Sequence, residues 1–264
     1  NIKTLNLSIN SKNISEILKN TTELIIIAGV HTPGKYLSAI PGTLKEIQHI
    51  TKDLNCRKIL TGPAIFGSQL YGGSFSEQID PKSFDAVQEF RFDYNKNDTA
   101  IKGASIIKQI PDLRIVEIET SRGCTRKEGC SFCLEPLKNR FEFRKYKDVL
   151  DEIKQFYKLG ARHFRLGKQS CFYSYPYIEQ LLSSIKKECP EIKVLHIDNV
   201  NPKMVTEEKT KLITKYCTEG NVAAFGVESF DKKVIEANNL NCQPEDVIKA
   251  IKIINKHGKE RGKN

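Results

Sequence analysis

Three cysteines stand close together in the middle of the chain, at Cys124, Cys130 and Cys133. Their spacing is C-x5-C-x2-C, and the apolar run around Ile115–Ile118 leads into them through Gly123. Three thiolates on one loop can hold three irons of a four-iron cluster and leave the fourth iron open. Thiolate is the usual protein ligand for such clusters. An open iron can act on a bound molecule, whereas a fully ligated cluster only passes electrons. The competing uses of Cys130 and Cys133 are half a zinc site or a redox dithiol. Zinc wants a fourth ligand, and the sequence offers no second C-x2-C pair and no close histidine pair; the nearest downstream histidine is His163. A disulfide framework does not suit 264 residues in which no secretory segment is read.

The elements that must position these thiols fall into two blocks. In the first, Ile14–Lys19 reads as part of a helix and Glu23–Val30 as a buried strand. Thr43–Leu54 carries apolar residues at 44, 47, 50 and 54, a helical spacing, and Arg57–Thr61 reads as another strand. His31-Thr-Pro-Gly34 reads as a turn, and Tyr71–Phe75 as turn material without the helix start of a phosphate loop. Residues 76–112 are expected to be a linker with short irregular elements. In the second block, strands are expected at Leu113–Glu119, Ala161–Leu166, Lys193–Ile197 and Asn221–Val227. They alternate with helices at Lys147–Leu159, Tyr177–Glu188 and Thr206–Cys217, and a further helix follows at Pro244–Lys256. Alternating strands and helices argue for parallel sheets with crossover helices.

On these residues the chain resembles the radical S-adenosylmethionine (SAM) superfamily, whose usual signature is C-x3-C-x2-C with an aromatic before the third cysteine, here Phe132. Further segments carry the resemblance: Glu119–Cys124, Cys130–Pro136, His163–Gln169, Leu195–Asn199, Asn221–Ser229 and Ile235–Leu240. They are similar to the radical SAM enzymes that bear a C-terminal helix-hairpin-helix module. The first gap of five residues departs from the superfamily norm. The resemblance implies an α/β fold over three stretches. An incomplete Rossmann-like (cobalamin-binding-like) domain spans 1–75, the linker follows, and the first four βα units of a partial TIM-like barrel span 113–264. A cobalamin ligand at His31 is disfavoured, because Gly29 occupies the position where cobalamin domains carry an aspartate. The chain opens on Asn1 and closes on a basic run after the last helix. Units five and six and the helix-hairpin-helix module are therefore expected to lie outside it.

Ligands of parallel α/β folds bind at the carboxyl ends of the strands. The resemblance implies a [4Fe-4S] cluster on Cys124, Cys130 and Cys133, with S-adenosylmethionine on its open iron. Reductive cleavage then yields a 5′-deoxyadenosyl radical that abstracts hydrogen from a substrate. Phe132 would lie near the adenine, or else is a core aromatic. Gly167 would admit the methionine end, with Lys168 and Gln169 where the superfamily often has Gly-Glu. Asn199 follows the third strand, and Glu228 with Ser229 would take the ribose hydroxyls, or else form a polar strand end with a helix cap at Ser229 or Asp231. Arg122, Arg126 and Lys127 flank the thiols, where cations favour thiolate, or else form a solvated loop face. Cys56, Cys171, Cys189, Cys217 and Cys242 read mostly as small buried apolar residues.

Composition bounds the rest. Hydrophobic residues make up 39% and charged ones 28%, and no apolar run reaches the length of a membrane span. A cytoplasmic enzyme that needs a one-electron reductant is expected. The formal charge of +10 suits a nucleic-acid partner, tRNA included, although a lysine-rich and tryptophan-free composition can reflect genome bias alone. The alternatives are a non-catalytic iron-sulfur protein for electron transfer or sensing, and a zinc-stabilised nucleic-acid-binding module.

Overall fold

The computed structural model describes residues 18–28, 44–66, 80–88, 97–110, 113–133, 135–167 and 171–258. The segments around His31, Tyr71 and residues 168–170 lie outside the described residues. The chain divides into two units, one of Asn1–Phe92 with Phe132–Leu134, the other of Asp93–Ser131 with Glu135–Asn264.

In the first unit, strand β1 (Glu23–Ile27), helix α1 (Leu44–Thr51), strand β2 (Arg57–Thr61) and strand β3 (Ala86–Val87) follow one another. The three strands form one parallel sheet in the order β1-β2-β3, with Ile25 opposite Ile59 and Ile59 opposite Ala86. Its core is small: Ala28, Leu60, Ala64 and Phe84, with Ile26, Ile47 and Ile65 packed against them.

The second unit begins with helix α2 (Asn97–Gly103) and a 3-10 turn over Ala104–Gln109. The stretch expected to be a linker thus contributes a strand to one unit and a helix to the other. Strand β4 (Val116–Ile118) leads into the cysteine loop. Two short strands, β5 (Ser121–Arg122) and β6 (Glu142–Phe143), pair antiparallel across the loop's base, with helix α3 (Glu135–Lys138) between them. Then come α4 (Tyr146–Lys158), β7 (His163–Leu166), α5 (Ile178–Glu188), β8 (Val194–Ile197), β9 (Asn199–Val200), α6 (Glu207–Tyr216), β10 (Ala224–Phe225), α7 (Lys232–Ala237) and α8 (Pro244–His257). Strands β4, β7 and β8 form a parallel sheet in chain order, with Val116 opposite Phe164 and Phe164 opposite Leu195.

This unit is built by apolar periodicity. Helix α5 buries Ile178, Leu181, Leu182 and Ile185, the i, i+3, i+4, i+7 face of a helix against a sheet. Helix α4 buries Val149, Leu150 and Ile153. Ile118, Phe164 and Leu166 close the layer from the strands, each 1% exposed or less. Thr206 caps α6 by accepting the Lys209 amide hydrogen, and Asp231 caps α7 by accepting those of Lys233 and Val234. The fourth strand is shorter than expected: Ala224–Phe225 pairs, and it does so with Asn199–Val200, as a separate two-stranded parallel ladder. Residues 221–230 alternate between exposed and half-buried, so little core holds the longer stretch in strand form. No helix among the described residues is long and apolar enough to cross a membrane.

Candidate active site

The carboxyl ends of β4, β7 and β8 lie side by side because the strands are parallel and in register. The backbone carries that alignment onward. Gly167 donates its amide hydrogen to the Ile118 carbonyl at 3.0 Å, and Asp198 to that of Leu166 at 2.9 Å. Gly167 has a φ of 81°, and a Cβ built there would meet the Phe172 side chain at 3.1 Å. A buried, close backbone approach at that strand end is therefore open to glycine.

The loop from Thr120 to Ser131 is fixed at its base. Arg144 donates its amide hydrogen to the Thr120 carbonyl at 2.9 Å, and its guanidinium donates to the Glu119 carbonyl at 3.0 Å. Tyr175, 1% exposed, donates its hydroxyl to the Arg144 carbonyl at 2.9 Å, and burial pushes that phenol's pKa up, so it remains a neutral donor. Glu135 accepts the Gly123 amide hydrogen at 2.9 Å and the Asn139 side-chain amide at 3.0 Å, which ties the start of the loop to α3. Gly123 has a φ of 76°, and a Cβ there would lie 2.5 Å from the Arg140 carbonyl oxygen. We expect Gly123→Ala to cost at least about 2 kcal/mol, from left-handed strain plus a backbone clash, and to displace the loop. Thermal unfolding and iron content of the variant check this; an unchanged melting temperature with unchanged iron would contradict it.

The thiols of Cys124 and Cys130 are half-buried and share one arginine. The Arg126 amide donates to Cys124 Sγ at 3.4 Å, and Arg126 Nη1 donates to Cys130 Sγ at 3.5 Å. Cys133, also half-buried, belongs to the segment Phe132–Leu134 that clusters with the first unit. Among the described residues no three His, Cys, Asp or Glu side chains converge to hold an ion, and Arg126 bonds the sulfurs of Cys124 and Cys130. The donor set still fits an iron-sulfur cluster: three soft thiols on one loop, with a backbone amide on Cys124 and a guanidinium on Cys130. The fully buried Thr120 hydroxyl, at the start of the loop, has no hydrogen-bond partner among the described residues.

The remaining expected site residues fall as follows. Phe132 is 40% exposed. Lys168 and Gln169 lie outside the described residues. Asn199 opens β9 and is exposed. Ser229 accepts the Asp231 amide hydrogen at 3.1 Å and so supports the start of α7. Glu228 is a non-glycine residue in the left-handed region, at φ 63°, in the run after β10. Such strain concentrates at functional sites.

Two further features of the site were not evident in the sequence. Cys242, 3% exposed, has its thiol pKa pushed up first by burial, then by the charges of Asp246 and Cys130, with Glu228 adding to the rise and Lys203 opposing it. A residue read as a small apolar one therefore lies in the neighbourhood of both Cys130 and Glu228. The other is the pair Asn238–Asn239 after α7, which bonds the cysteine loop directly. Cys171 accepts the Asn201 amide hydrogen at 3.1 Å, which ties the segment after β7 to the one after β9. His163 and His196 are held by the carbonyls of Arg114 and Glu219, as structural histidines are.

Comparison with known proteins agrees in kind. Residues 118–264 match the radical SAM superfamily. An uncharacterised protein of Methanocaldococcus jannaschii is 42% identical over 292 residues, which cover 90% of this chain and 53% of that protein. One of Archaeoglobus fulgidus is 38% identical over 276 residues, covering 94% and 51%. The chain thus spans about half the length of these relatives. Among solved structures, TsrM of Kitasatospora setae is similar in fold, with a TM-score of 0.59 and 14% identity over 90% of this chain and 55% of its own. TsrM is a radical S-adenosylmethionine methyltransferase, solved with tryptophan substrate and the SAM analogue aza-SAM bound.

Proposed function

The chain belongs to the radical SAM superfamily, and on that premise we propose that Cys124, Cys130 and Cys133 hold three irons of a [4Fe-4S] cluster that serves S-adenosylmethionine. When bound there, the cluster would supply the electron for reductive cleavage of S-adenosylmethionine. The chain's own residues bind and orient. Gly167 leaves room for the methionine end of the cofactor beside β4. Asn199 supplies a polar group at the start of β9, and Lys168 and Gln169 are proposed as further cofactor contacts. Glu228 and Ser229 take the ribose hydroxyls, and Phe132 covers the adenine. The observation that carries the reading is the cysteine loop at the end of β4, with one arginine on two of its sulfurs. The charge of +10 favours a polyanionic substrate, a tRNA or another nucleic acid.

The test is formation of 5′-deoxyadenosine from S-adenosylmethionine by the anaerobically reconstituted chain, with dithionite as reductant. The expected result is 5′-deoxyadenosine from the wild type and none from a variant with all three cysteines changed to alanine. Equal yields from both would overturn the assignment.

A further inference from the structure

The five-residue gap between the first two cysteines needs an explanation, because so long a loop has many ways to place its thiols. The structure holds it with residues from far along the chain. Arg126 Nη1 donates to the Asn239 carbonyl at 2.8 Å and Nη2 to Asn239 Oδ1 at 2.6 Å. Asn239 returns a bond, donating its side-chain amide to the Gly129 carbonyl at 3.0 Å. One residue away, the Ser131 amide donates to the Asn238 carbonyl at 3.0 Å and its hydroxyl to Asn238 Oδ1 at 2.8 Å. Asn239 sits at φ 47°, a left-handed conformation that asparagine tolerates better than most side chains. The loop is thus gripped at Arg126 and Gly129 within the gap, and at Ser131 just past it, by the two residues after α7.

We infer that Arg126 and Asn239 form a clamp that sets the shape of this loop and tunes the cluster held on it. Arg126 is a positioning residue with a second effect, because the same guanidinium donates to Cys130 Sγ. Hydrogen bonds to ligand sulfurs help set a cluster's reduction potential. A cation there stabilises the more negative, reduced state, so its removal makes reduction harder. Arginine suits both tasks, since its planar fork reaches the Asn239 oxygens and the sulfur together, which the point charge of lysine cannot do. Asn239 acts through Arg126 and the loop backbone. The inference rests on Cys124 and Cys130 being iron ligands.

The experiment compares the reconstituted chain with Arg126→Gln, Arg126→Lys and Asn239→Ala. Two quantities are read: the reduction potential, by redox titration followed by EPR, and the rate of iron transfer to a chelator. Arg126→Gln is expected to shift the potential negative and to release iron about 10-fold faster, the scale of losing an outer partner of a metal ligand. Arg126→Lys should restore most of the potential and little of the iron retention. Asn239→Ala should release iron faster with little change in potential. A merely structural arginine would not move the potential, so Arg126→Gln with the wild-type potential overturns the tuning, and wild-type iron release in Asn239→Ala overturns the clamp. If Arg126→Gln does not fold, Arg126→Lys and Asn239→Ala decide by the same two readings. A wild type that takes up no iron and sulfide fails earlier and differently: the ligand assignment then falls, and the clamp with it.

Discussion

Cys130→Ser is expected to remove cleavage of S-adenosylmethionine while leaving the fold in place. The residue is half-buried and outside the core, so the melting temperature should move by only a few degrees. What is lost is one of the three proposed iron ligands, together with the sulfur that accepts from Arg126. Loss of an outer partner costs about 10–100-fold in metal affinity or activity, and loss of a ligand should exceed that range. The measurements are iron and sulfide per chain and the yield of 5′-deoxyadenosine. A variant that keeps its iron and its activity would remove Cys130 from the ligand set.

Arg144→Met is expected to be the most damaging change to stability. The arginine side chain is 7% exposed, and it pairs at 2.5 Å with Glu152, itself 15% exposed. It also donates to the Glu119 carbonyl at the end of β4. Removing the guanidinium takes the cation from a largely dry carboxylate and one donor from the Glu119 carbonyl. Breaking a buried pair from one side costs about 3–5 kcal/mol, because the surviving charge remains uncompensated. For a chain of this size that corresponds to a fall of about 10 °C or more in melting temperature. The double variant Arg144→Met with Glu152→Leu should recover much of the loss, since it removes both charges together. A single variant that melts within about 2 °C of the wild type would show that the pair is not what ties β6 and α4 to the end of β4.

Much of this architecture was legible in the residues. Arg57–Thr61 reads as a strand and is one over the same residues. The face of α5 was written in Ile178, Leu181, Leu182 and Ile185, because a helix against a sheet repeats its apolar positions at that spacing. Alternating strands and helices gave the parallel sheet of β4, β7 and β8. The fourth strand was harder. Asn221–Val227 has strand-like residues, but only Ala224–Phe225 pairs, and its partner is the short β9 rather than β8. Composition records a preference for extended backbone and says nothing of the neighbour. Strands β5 and β6 left no periodic trace, since two residues are too few to show one.

In the site, the three cysteines and the cations around them were plain. What the cations do was not. Arg126 could equally have faced water; its guanidinium instead bonds Asn239, 113 residues away. Contacts of that separation arise from the folded arrangement of α7 beside the loop and from no local pattern. Cys242 was hidden for a similar reason. A cysteine standing singly in the sequence reads as a small buried residue, and the influence of Cys130 and Glu228 on Cys242 arises only in the folded chain.

A cysteine loop that carries a cluster with one iron open to S-adenosylmethionine has a spectroscopic signature. The most direct measurement is the EPR spectrum of the anaerobically reconstituted, reduced protein, taken without and with S-adenosylmethionine. The expected result is a four-iron signal that changes when the cofactor is added. A cluster signal indifferent to S-adenosylmethionine, or zinc bound in place of iron and sulfide, would contradict it.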